Sequence, residues 1–330
     1  MTWLVWRQHR IQFYLGAALL AAFGVLIVIT GVQVADQYHA AQVACALHQG
    51  CRQLGGLFMG NRVVGFMVIC TLGAPALVGL FWGAPLVAAE AEAGTTQFAW
   101  VQSVTRRHWL AVKVGWMLLA AAVWGGVISA LVTWWSSPNN AEQLDQFKPG
   151  RFDIMYLVPV AYSLFAVALG IAAGVLIRRV LPAMVVTLAG FIAVRALITL
   201  LLRPHFLSPV TVYYSVIRGT GFTPSGAFWQ IAQGIVGPNG QVIAQPNNVN
   251  YYNGVPQTAL PSSCTPLFTN NVPPNPTGSC AHALSQIRGF ITYQPADRFW
   301  AFQGIETGIF VVLTAALLAV TAMLLLRRDA

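Results

Sequence analysis

Charge is what this chain has least of. Lys, Arg, Asp and Glu make up 8% of its 330 residues, and nine of them are acidic, whereas a typical soluble protein is about 25% charged. A soluble surface cannot be assembled from so few charges. Disorder is excluded from the other side: hydrophobic residues reach 57% and mean hydropathy is +0.64, while disordered chains are poor in apolar residues. Catalytic and nucleotide-binding signatures are also missing. There is no G-x-x-x-x-G-K-S/T phosphate loop, no H-E-x-x-H and no G-x-S-x-G. The stretch 234–241 spaces its glycines suggestively but lacks the lysine that reaches the phosphates. The chain is therefore not expected to be an enzyme. If it is driven by ATP, another chain must hydrolyse the nucleotide. No short apolar core followed by a small-residue cleavage site opens the sequence, so the first apolar run reads as a retained anchor.

What is abundant is apolar length. A helix needs about 20 apolar residues to cross roughly 30 Å of hydrocarbon. Six runs qualify: about 13–34, 63–89, 110–135, 154–177, 181–202 and 300–326. The fold class is thus an all-α integral membrane protein with six transmembrane helices. Pro75 and Pro159 are expected to bend their helices, since proline lacks the N–H and clashes with the preceding turn. The net charge of +9 then reads as orientation. Arg7 and Arg10, Arg106 and Arg107 with Lys113, Arg178 and Arg179, and Arg327 and Arg328 all fall on one side of a six-span plan. That side is assigned to the cytoplasm of a cell-membrane protein, with both termini there. Arg52, Arg62, Lys148 and Arg151 lie opposite, the latter two offset by Glu142, Asp145 and Asp153.

Cysteine placement agrees. Cys45 and Cys51 fall in the first outside loop, Cys264 and Cys280 in the last, and Cys70 is alone within span two. Two outside pairs suit two disulfides in an oxidising space. His39, Cys45, His48 and Cys51 have spacings that could hold zinc. Thiolates oxidise in that compartment, so the disulfide is preferred and no metal is assigned.

The segment 203–299 stands apart. It holds twelve of the eighteen prolines, with Arg203, Arg218, Arg288, Asp297 and Arg298 as its charges. Its aromatic content argues against a solvated linker. It reads as a loop-rich, disulfide-stapled extracellular cap between spans five and six. A short helix is expected at Ser225–Val236, between Pro224 and Gly237-Pro238, and 238–276 is expected to be mostly turns.

The second cytoplasmic loop, about 90–109, carries the most specific signal. Gly94 breaks the preceding helix, and Thr95 or Thr96 can cap a short one bearing Phe98, Trp100 and Val101. An apolar patch rimmed by charge marks a partner site, or else an interfacial helix anchored by Trp. These blocks, with Trp3–Arg10, Gly83-Ala84-Pro85-Leu86, Glu90-x-Glu92-x-Gly94-Thr95 and Trp100–Lys113, resemble the permease subunits of ABC-2-type exporters, in particular a group common in actinobacteria. Ala89 stands where many members carry a basic or polar residue. The resemblance implies an N-terminal interfacial helix over residues 1–12 and a coupling helix between spans two and three. That coupling helix would dock on a separate ATPase subunit, which holds ATP and Mg. Two permeases, a homodimer, and two ATPases would form the working unit, with a cavity lined by spans two and five. Glu90, Glu92, Gly94, Thr95, Phe98, Trp100, Val101, Arg106 and Arg107 become coupling candidates, the two acids engaging basic residues of the ATPase or Arg106 and Arg107. The implied function is efflux of an amphipathic substrate: a drug, peptide antibiotic or lipid. The alternative is a membrane sensor or immunity protein that binds a ligand through its cap without transport.

Two charges fall inside the spans. Arg195 is seven residues before the end of span five and Glu306 six residues into span six. At about 1.5 Å per residue they lie at equal depth, roughly 9–10 Å below the outer boundary. Intramembrane charges are usually paired, so an Arg195–Glu306 ion pair is expected.

Overall fold

The computed structural model describes residues 2–46, 62–93, 106–140, 147, 150–215, 224, 228–244, 251–252, 255–256, 260, 262–264 and 278–327. Among these, six helices are long and apolar enough to cross a membrane: Phe13–Gln37, Gly65–Glu92, Ala111–Ser136, Val158–Ile177, Val180–His205 and Ala296–Leu325. Each lies within four residues of the expected run at either end. Bilayer thickness sets these lengths, which is why composition alone located them.

Span one belongs to one continuous helix, Thr2–Ala46. The separate N-terminal helix expected over residues 1–12 merges with it, because nothing in Arg10-Ile11-Gln12-Phe13 breaks a helix. Its 45 residues extend about 68 Å at 1.5 Å each, more than twice the hydrocarbon thickness. Span two is interrupted. Helix Arg62–Val78 contains Pro75, a π turn follows at Gly79–Gly83, and Pro85 opens the helix Pro85–Glu92. Pro159 does not bend span four; it sits in the first turn of helix Val158–Ile177, where its missing N–H costs nothing.

Span four is the most buried of the six, and spans two, three and five pack on it. Glycine permits the tightest of these contacts. A Cβ on Gly79 would lie 2.5 Å from the carbonyl oxygen of Ala166, one on Gly83 2.6 Å from that of Val167, and one on Gly170 2.6 Å from that of Gly79. Backbones this close are the small-residue packing of membrane helices, which maximises dispersion contact where no hydrophobic drive exists between helices.

The described residues divide into two compact units. One carries the spans. The other comprises Leu144–Phe147 and Pro204–Phe299; it holds the expected disulfide between spans five and six, and its described residues add strands to the expected loops. Strands β1 Val210–Ser215, β2 Phe228–Val236, β3 Val242–Ala244 and β6 Arg288–Pro295 form an antiparallel sheet in the order β1-β6-β2-β3. A small ladder joins β4 Tyr251–Tyr252 and β5 Val255–Pro256. The helix expected at Ser225–Val236 is thus strand β2. Gly237-Pro238-Asn239-Gly240 does not end a helix but turns a hairpin into β3, closed by Gly240 N–H to Gly237 O at 3.0 Å, with Gly240 at φ 75°. The pairing with β6, from Phe228↔Pro295 to Val236↔Arg288, is non-local and invisible in a sequence window. Cys264 and Cys280 are joined by a disulfide and are buried with Ile235, Leu284 and Ile287.

Candidate functional site

The spanning unit buries a cluster of four charges. Asp153 sits in a short 3-10 turn, Phe152–Ile154, ahead of span four. Arg195 and Arg203 come from span five and Glu306 from span six. Arg203 is fully buried and grips Glu306 with two nitrogens: Nε donates to Oε2 at 2.8 Å and Nη2 to Oε1 at 2.7 Å. Arg203 Nη2 also donates to Asp153 Oδ1 at 2.5 Å, and Arg195 Nη2 to Asp153 Oδ2 at 3.0 Å. The Tyr162 hydroxyl, from span four, donates to Glu306 Oε1 at 2.5 Å. Gln303 pins the 3-10 turn to span six, donating to Phe152 O at 3.1 Å and accepting the Val158 N–H at 3.2 Å. Rings cover the cations: Arg203 lies 4.5 Å from the Phe152 centroid and Arg195 4.8 Å from that of Tyr162.

The formal charges sum to zero, as a low-dielectric site demands. Burial by itself pushes the Asp153 carboxyl up. The guanidinium groups of Arg203 and Arg195 outweigh that and hold it below the usual carboxylate range.

The expected Arg195–Glu306 pair is corrected here. Arg195 pairs with Asp153 and Glu306 with Arg203, so the two connect through Asp153 and Arg203, and through Tyr162, rather than directly. Asp153 and Arg203 each lie just beyond an apolar run, where sequence alone makes a charge a loop charge. A signal was present. Arg195, Thr199 and Arg203 recur every four residues, which stacks them on one helical face. Gln303 and Glu306 are three apart and share a face in the same way.

Arg195 also donates Nη1 to the carbonyl of Leu72 at 2.8 Å. The contact ties span five to the backbone of span two three residues before Pro75. Beside this contact an open groove of about 580 Å3 runs between spans two and five, with Ile69, Cys70, Leu188, Ile192, Asp153 and Arg195 among its lining residues. Its size falls within the range of about 300–1,000 Å3 typical of small-molecule sites. Cys70 is a free thiol on its wall. The groove offers an apolar wall and a charge-balanced polar patch.

Of the coupling candidates, Glu90 forms an ion pair with Lys113 of span three, and Glu92 Oε2 accepts the Val180 N–H at 3.0 Å. Arg106 and Arg107 open the helix Arg106–Asn140, and their side chains lie outside the described residues, as does the expected engagement of the two acids with them. Gly94, Thr95, Phe98, Trp100 and Val101 lie outside the described residues. So does Cys51, and hence the expected Cys45–Cys51 bridge. Among the described residues no group of three or more His, Cys, Asp or Glu is placed to hold a metal.

A family model described as ABC-2 membrane transporter related matches residues 17–203, more than half of the chain. No curated protein matches, and no solved structure does.

Proposed function

This chain belongs to the ABC-2 membrane transporter related family, and from that membership we propose that it is the permease subunit of an ATP-driven exporter of an amphipathic substrate: a drug, a peptide antibiotic or a lipid. A separate ATPase subunit, holding ATP and Mg, drives it. Two copies of this chain face each other through spans two and five, and the arginine-bearing ends of the spans lie in the cytoplasm. The apolar groove between spans two and five carries the reading. Its apolar wall would meet an acyl chain or apolar ring with carbon. Among the described residues that line it, the charged groups Arg195 and Asp153 are paired to each other, so a substrate needs no formal charge to enter.

Cys70 makes the groove testable. In native membranes with the ATPase present, ATP plus vanadate is expected to change the rate at which a maleimide modifies Cys70, with a Cys70→Ala chain as the blank. An unchanged rate would mean that the groove does not move with the ATPase cycle.

A further inference from the structure

Glu90 and Glu92 end the helix Pro85–Glu92. A carboxylate at the C-terminal end of a helix opposes the helix dipole, so their positions call for partners. Both find them within the chain. Residues two apart on a helix point about 200° apart, and the two acids accordingly reach opposite neighbours. Glu90 turns to Lys113, which is 1% exposed and lies two turns into the helix of span three. Glu92 turns to span five and accepts the N–H of Val180. Val180 is the first residue of helix Val180–Leu197, whose own N-cap residue, Arg179, supplies no side-chain cap. Glu92 thus brings a carboxylate from span two to a helix start that favours negative charge.

The connectivity gives this arrangement its consequence. Residues 94–105 join the helix that ends at Glu92 to the one that begins at Arg106. The Glu90–Lys113 pair ties these two helices together, and Glu92 ties the first of them to span five. Spans two and five are the two walls of the groove.

We infer that Glu90, Lys113 and Glu92 form a bracket within the chain that couples the two helices flanking residues 94–105 to span five, and that the two acids are positioning residues rather than contacts for the ATPase. The inference rests on the permease reading. Two readouts on membranes containing this chain and its ATPase separate the possibilities: recovery of the ATPase with the tagged chain, and the ATP-dependent change in Cys70 modification. Glu92→Leu is expected to retain the ATPase and to shrink the ATP-dependent change by about fivefold, the scale of a lost helix cap. Glu92→Gln, which keeps an acceptor oxygen, is expected to fall between Glu92→Leu and the unmodified chain. Glu90→Lys is expected to lose the response and the swap Glu90→Lys with Lys113→Glu to restore it. That rescue holds the test open should a single variant fold poorly. Loss of the ATPase from Glu92→Leu, or a swap that restores nothing, would place the carboxylates on the partner and overturn the bracket. If the unmodified chain recovers no ATPase, the permease reading itself fails and takes the bracket with it.

Discussion

Replacing Glu306 with Ala leaves the buried Arg203 guanidinium with Asp153 as its one remaining acid, already shared with Arg195. Breaking one side of a buried pair typically costs about 3–5 kcal/mol, and the thermal midpoint in detergent should fall accordingly. Asp153 adds a pH dependence. Its unfolded pKa is about 3.9 and its native value lies lower. The stability it contributes is therefore complete above about pH 4 and is lost as pH falls from there through the native value. Asp153→Asn should be less stable than the unmodified chain at pH 7, with the gap narrowing below about pH 4 when both are unfolded at matched pH. Two of the four charges were legible in the sequence, since a charge inside an apolar run advertises itself. Their partners were not. Asp153 and Arg203 border apolar runs, and only the 3-10 turn and the last turns of span five bring them inward.

At the scale of elements, the contact between spans two and four sets the sharpest test. A Cβ at Gly170 meets the Gly79 carbonyl oxygen at 2.6 Å, whereas one at Gly115 meets nothing within 4 Å. Gly170→Ala should destabilise by about 1–3 kcal/mol, the usual cost of overpacking, while Gly115→Ala is neutral or slightly favourable because Ala is the better helix former. Thermal unfolding of the two variants side by side measures the difference. The motif is written plainly as Gly79-x-x-x-Gly83 and Gly170-x-x-x-Gly174, though nothing in a single helix says which partner it meets. In the cap, the disulfide closes a sequence separation of 16 residues, and its loss should cost about 3 kcal/mol. Cys280→Ser should then make the segment around Cys264 cleave faster under protease. Strand β2 shows why the cap resisted sequence reading. Its Pro and Gly flanks delimit a helix as well as a strand, and the choice was made by β6, more than fifty residues downstream.

For the whole molecule, six spans could be counted from composition because lipid leaves few alternatives: each backbone polar group must be satisfied within the segment. On the proposed permease reading, the span two and five groove and the Glu90–Glu92 corner are parts of one device, a groove whose walls are tied to the helices that flank residues 94–105. The substrate was not legible, since an apolar groove with balanced charges admits many amphiphiles. The central claim is that an ATPase works on this chain. It is tested most directly by purifying the tagged chain from its native membrane in mild detergent and identifying what comes with it by mass spectrometry. The account predicts a stoichiometric ATP-binding subunit that is lost when Phe98 and Trp100 are both changed to Asp. Recovery of this chain alone, across several detergents, would contradict it and favour a cap that senses a ligand without transport.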